Sequence, residues 1–205
     1  MKRFSRFLLI FFAVGVSLAS MRYLDFRVQG VLNDKSALLL QNVGYRSIFY
    51  THVLFGITAL LTGSVQFLPK FRRSNFSLHR TLGKIYVIAC MTGGLAGLLI
   101  APFATGGFIA TLGFTGLAIA WLVTTWRAYQ TARQRDFLAH HQWTTRSYAV
   151  TLSAVTLRIW LPLFVGIFGW DFIPSYQFIS FFCWVPNVLV AEWLIQRRML
   201  AVEKV

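Results

Sequence analysis

Acidic side chains are scarce: six Asp and Glu stand against 20 Lys and Arg. No two of the six are spaced as a catalytic pair. The chain also has no H-E-x-x-H, no G-x-S-x-G and no phosphate-binding glycine loop. These absences argue against a hydrolase or a phosphotransferase, and no catalytic motif supports an enzyme of another kind. Cysteine is equally sparse. Cys90 and Cys183 both lie in apolar stretches, without a C-x-x-C partner. They read as small core residues rather than redox or metal groups.

Charge of either sign is thin, at 13% of residues, and residues 85–126 contain none. What replaces it is apolar: 57% of the chain is hydrophobic and the mean hydropathy is +0.61. A soluble domain of this length cannot hide that much apolar surface, so the composition places the chain in a membrane. One helix over 85–126 would be roughly 63 Å long, about twice a ~30 Å hydrocarbon core. The stretch must fold back, and Pro102, Gly106 and Gly107 supply the turn.

The full pattern predicts an all-α, polytopic bundle of six transmembrane helices forming a single domain over 1–205. The spans fall at about 7–21, 48–68, 80–101, 107–129, 140–168 and 172–195. The first is short and follows Lys2, Arg3 and Arg6. Ser17-Leu18-Ala19 would also suit signal cleavage, so a retained helix and a cleaved leader both stay open. Leu38, Leu39, Leu40 and Val43, in the one long loop, suit a short helix on the membrane surface. Glycines crowd the third and fourth spans, where small residues let helices approach closely.

The net charge of +14 does not point to nucleic acid, because the cations follow the topology. Fifteen Lys and Arg fall on alternate loops and at both termini, including Lys70, Arg72, Arg73, Arg133 and Arg135. Four fall on the opposite side: Arg22, Arg27, Lys35 and Arg46. Positive-inside bias then predicts cytoplasmic N and C termini in a bacterial inner membrane, with the lipid bilayer as the first partner.

Arg158 is the exception, because it sits within the fifth span, roughly 18 Å in from Arg146. Pro162 cannot donate to the Arg158 carbonyl, so a freed acceptor and a cation share one level. That suits an anionic group, or bonds from Arg158 to helix carbonyls or Asp171. Histidines mark other levels. His52 and His79 each have a glycine four residues on, Gly56 and Gly83, which leaves room for a flat ring bound to imidazole. Depth groups His79, Arg80, His140, His141, Arg146 and Gln66 near the inner end, and His52 with Arg158 near the outer end. His79 with His140 would suit a metal or one b-type haem, with Arg80 and Arg146 meeting its propionates. Each histidine also suits a plain interfacial hydrogen bond.

Three stretches resemble a bacterial family of predicted membrane proteins, catalogued as domain of unknown function 2306. One runs from His52 and Gly56 to Gly63-Ser64-Val65-Gln66-Phe67-Leu68-Pro69. The second is His79-Arg80-Thr81-Leu82-Gly83-Lys84-Ile85-Tyr86. The third runs from His140 through Trp143 and Arg146-Ser147-Tyr148-Ala149 to Arg158-Ile159-Trp160-Leu161-Pro162. The resemblance implies that His52, His79, His140 and Arg158 are family positions, with His140 favoured over His141. Thr144 departs from the methionine expected there. The resemblance implies no activity.

Three functions follow as expectations. One is a haem-binding or redox-associated protein built on the span-end histidines. Another is a membrane carrier or binding protein for a small anionic or lipid-like ligand, such as a quinone, at Arg158 and Gln66. The third is a non-enzymatic assembly or scaffold protein.

Overall fold

The computed structural model describes residues 3–25, 32–33, 35–68 and 75–202. Lys2, Arg27, Pro69, Lys70, Arg72, Arg73 and Lys204 lie outside them. The helices are α1 (Arg3–Met21), α2 (Ala37–Gln41), α3 (Val43–Gln66), α4 (Phe76–Ile100), α5 (Gly107–Arg133), α6 (Phe137–Thr151), α7 (Ser153–Pro162), α8 (Phe172–Phe182) and α9 (Val185–Val202). Among the described residues, six stretches are long and apolar enough to cross a membrane: Phe7–Asp25, Val43–Gln66, Phe76–Phe103, Gly107–Arg133, Phe137–Ile167 and Phe172–Arg197.

Side chains at the helix starts explain why several begin earlier than apolar content suggests. Asn42, Asn75 and Asp136 accept hydrogen bonds from the backbone N–H groups of Tyr45 (3.0 Å), Leu78 (2.9 Å) and Ala139 (2.9 Å). Each satisfies an N–H that the helix itself leaves unpaired. The expected starts at 48, 80 and 140 therefore move out to Val43, Phe76 and Phe137. The short surface helix forms as α2, with Leu38 82% exposed.

The charge-free hairpin turns where expected. α4 tightens into a 3-10 turn over Ala101–Phe103, and Gly106 (φ 102°) and Gly107 (φ 70°) take left-handed conformations. Side chains are strained there, so glycine fits. Lys35 closes the turn from outside, donating to the Phe103 carbonyl and to Thr105 Oγ1.

The fifth and sixth spans are not continuous helices. The fifth breaks at Leu152, and Pro162 leads into a π turn over Leu163–Ile167. The sixth breaks between Phe182 and Val185. Asn187 stitches the breaks together, donating to the carbonyls of Ala149 (3.2 Å) and Cys183 (3.0 Å) and to Thr156 Oγ1 (3.2 Å). Thr156 also donates to the Cys183 carbonyl.

The glycines serve two interfaces. A Cβ on Gly93 would lie 3.2 Å from Phe55 and 3.3 Å from Trp121, so α4 packs tightly between α3 and α5. Gly113 lies against Ser180 and Gly116 against Trp184, which seats α8 and the break after it on α5. Outward faces are apolar: Ile88, Leu95 and Leu99 are each more than half exposed on α4. Such a face is stable only against lipid.

α3, α4, α5 and α6 form a ring, each packed on its two neighbours, so α4 and α6 stand diagonally opposite. Hydroxyls fill its axis. Thr151 Oγ1 donates to the Ser147 carbonyl (2.9 Å) and accepts from Trp121 Nε1 (2.8 Å). With its proton so placed, it accepts from Tyr86 Oη (3.0 Å), which accepts from Ser147 Oγ (2.8 Å), which accepts from Thr125 Oγ1 (2.7 Å). Each hydroxyl of this chain of bonds thus has a partner, as a low-dielectric interior requires. α1 lies outside the ring, packed on α3 and α7.

Candidate ligand-binding cavity

Below the hydroxyl chain, at the end of the ring where α4 and α6 begin, the four helices diverge. The gap is a cavity of about 1140 Å³. That is at or above the upper range of ordinary ligand sites, ~300–1,000 Å³.

The caps fix what reaches it. Asn75 and Asp136 start α4 and α6, so Phe76 and Phe137 are first helical residues and His79 and His140 are fourth. All four line the cavity, with His141 beside them. Phe76 stacks on His79, with centroids 6.2 Å apart and planes 28° apart. His140 Nδ1 bonds the Ala128 carbonyl at 2.8 Å. A carbonyl only accepts, so Nδ1 carries the hydrogen and the neutral ring keeps its lone pair on Nε2. Gln66, the last residue of α3, donates to the His79 carbonyl at 3.4 Å. Gly83 lies one turn above His79 and lines the cavity too.

The remaining lining divides by chemistry. Phe67, Tyr86, Val87, Ala128 and Tyr129 form apolar walls toward the bundle. Tyr86 presents its ring, because its hydroxyl is engaged with Ser147 and Thr151. Arg80, Lys84, Arg133 and Arg135 add cations, and all four are exposed. No acidic side chain lines the cavity among the described residues. Arg135 holds φ 61°, a left-handed conformation disfavoured for a residue with a side chain.

The cavity thus gathers His79, Arg80, His140, His141 and Gln66, but not Arg146, His52 or Arg158. Arg146 turns to Glu192 of α9, with Nη2 2.8 Å from Oε2 and Nε on Oε1, and its guanidinium stacks over Trp143 at 4.6 Å. His52 Nδ1 donates to the Gly93 carbonyl at 2.8 Å, and its ring fills the space over Gly97. Gly56 has no neighbouring element near it. Arg158 donates to the Ala154 carbonyl (3.0 Å) and to Ser20 Oγ of α1 (2.9 Å). Among the described residues, no cluster of three or more His, Cys, Asp or Glu is arranged to hold a metal ion.

Sequence reasoning missed that Lys84, Arg133 and Arg135 join the histidines, having assigned them to topology alone. It also missed a usable signal: Asn75-Phe76-x-x-His79 and Asp136-Phe137-x-x-His140 are the same cap, ring and imidazole at the same spacing.

A family profile described as predicted membrane protein (DUF2306) matches residues 49–195, which include all of the four-helix ring but the first six residues of α3, 43–48. No curated protein and no solved structure matches the chain.

Proposed function

The chain belongs to the DUF2306 family of predicted membrane proteins, and on that footing we propose that it binds an amphipathic anion between α3, α4, α5 and α6. One observation carries this reading: a cavity of about 1140 Å³ combines apolar walls with Arg80, Lys84, Arg133 and Arg135 and has no acidic lining residue among those described. The cations suit a carboxylate or phosphate, and the aromatic walls suit a ring system or chain. Haem, with two carboxylates on a flat apolar ring, belongs to this class, as do anionic lipids. The lone pair on His140 Nε2 favours haem among them.

The other expectations find less support. Arg158 is occupied by Ala154 and Ser20, a role in holding α1 to α7. A pure scaffold does not need a cationic cavity. The same proposal turns the cavity toward the cytosol of a bacterial inner membrane, with both termini on that side, because anionic cytosolic lipid attracts the Arg-rich end.

Native mass spectrometry of the chain purified in mild detergent tests the proposal. We expect a co-purifying amphiphile bearing carboxylate or phosphate, lost when Arg80 and Arg133 are both replaced by Gln. A folded protein carrying no such adduct would overturn the proposal and favour the scaffold.

A further inference from the structure

His79 and His140 occupy the same position in two copies of one local design. Each is the fourth helical residue after a capping side chain, Asn75 or Asp136, that accepts from the N–H three residues on at 2.9 Å. Each follows a phenylalanine in the first helical position. Their helices start at the same end of the ring and stand diagonally across it, and both imidazoles line one cavity. The His140 bond to Ala128 fixes that ring as a nitrogen ligand is usually fixed, with the far nitrogen held by a backbone carbonyl.

Two imidazoles are too few for a bare divalent ion, which takes four or more protein or water donors. His141 also lines the cavity, but among the described residues no three His, Cys, Asp or Glu are grouped to hold a metal ion. A metal held here must bring its own equatorial ligands, and the apolar walls and cations fit a flat macrocycle with carboxylate arms. We propose that His79 and His140 are the two axial ligands of one iron porphyrin. This inference rests on the amphipathic-anion reading of the cavity and narrows it. Iron ligated on both faces has no vacant position, which excludes direct binding of a substrate to the metal.

The test titrates the purified full-length chain with ferric haemin and, separately, with metal-free protoporphyrin IX, which has the same carboxylates and no iron. We expect one equivalent of haemin to give a six-coordinate, low-spin spectrum with a sharp α-band on dithionite reduction. His79→Ala and His140→Ala should each weaken haemin by about tenfold or more, leave the metal-free ring unaffected, and turn the spectrum five-coordinate. Added imidazole should restore the six-coordinate form in each. Equal affinity for both rings, with spectra unchanged by the substitutions, would overturn the axial-ligand inference and leave the anion reading standing. Binding of neither ring would also overturn the inference, and the co-purified adduct would then judge the anion reading separately. If either variant fails to fold, the wild-type comparison of the two rings decides alone.

Discussion

Arg146 of α6 and Glu192 of α9 meet in a two-point ion pair, Nε to Oε1 and Nη2 to Oε2, across the end of the bundle that carries the cavity. Their side chains are 19% and 35% exposed, so water screens the pair in part. Removing one partner strands a half-buried charge, a loss of about 1–3 kcal/mol in favourable cases and toward the low end here. We expect Glu192→Gln and Arg146→Met each to lower the thermal midpoint in detergent, and the double variant to lose less than the sum. Arg146 is turned away from the cavity, so Arg146→Met should leave haemin affinity unchanged while Arg80→Gln reduces it. Equal losses would return Arg146 to the site.

Arg135 offers a trade between stability and binding. Its φ of 61° is a conformation glycine adopts freely. Relief of that strain predicts that Arg135→Gly stabilises the protein, by up to about 1 kcal/mol after the entropy that glycine adds to the unfolded chain. The same change removes one of the cavity's cations. Thermal unfolding and haemin titration of one sample should therefore move in opposite senses. A variant that is more stable and binds as well would show that the strain serves nothing in the cavity.

Gly63 ties the cavity wall to the core. A Cβ there would lie 2.5 Å from the Tyr148 ring and 2.8 Å from the Tyr86 ring, closer than real contacts come. Tyr148 is buried and donates to the Leu60 carbonyl at 3.2 Å, so it cannot simply swing away. Gly63→Ala is expected to cost about 1–3 kcal/mol by overpacking. It should also displace Tyr86 and so alter ligand affinity. Gly56→Ala, with open space at its Cβ, should do neither.

The membrane class, the six spans and the glycine hairpin were legible because they depend on composition and period alone. The inner grouping of His79, Arg80, His140 and Gln66 was legible from depth along each span. Helix phase was not. At about 100° per residue, Arg146 lies about 120° around α6 from His140, which puts Glu192 within its reach and the cavity out of it. His52 lies at the other level, away from the cavity, and the glycine that its ring covers, Gly97, is on a neighbouring helix and has no signature in spacing. The break at Leu152 was hidden for another reason: it involves neither proline nor glycine, and Asn187 holds it across helices by donating to the Ala149 carbonyl. The break at Cys183 did leave a signal, because Pro186, the second residue of α9, cannot donate to the Phe182 carbonyl.

The orientation expected from charge can be tested with the protein's own chemistry. Both cysteines, Cys90 and Cys183, are fully buried, so the folded chain should resist maleimides. A single introduced thiol is then the only reactive one. Gln134, exposed in the turn between α5 and α6, lies at the Arg-rich end. Asp171, exposed before α8 and free of any capping bond, lies at the other end. If the cations hold their loops in the cytosol, a membrane-impermeant maleimide added to intact cells will label Asp171→Cys and not Gln134→Cys. Permeabilising the cells should expose both. Labelling of Gln134→Cys alone in intact cells would invert the topology, turn the cavity to the outside, and remove cytosolic supply of its ligand.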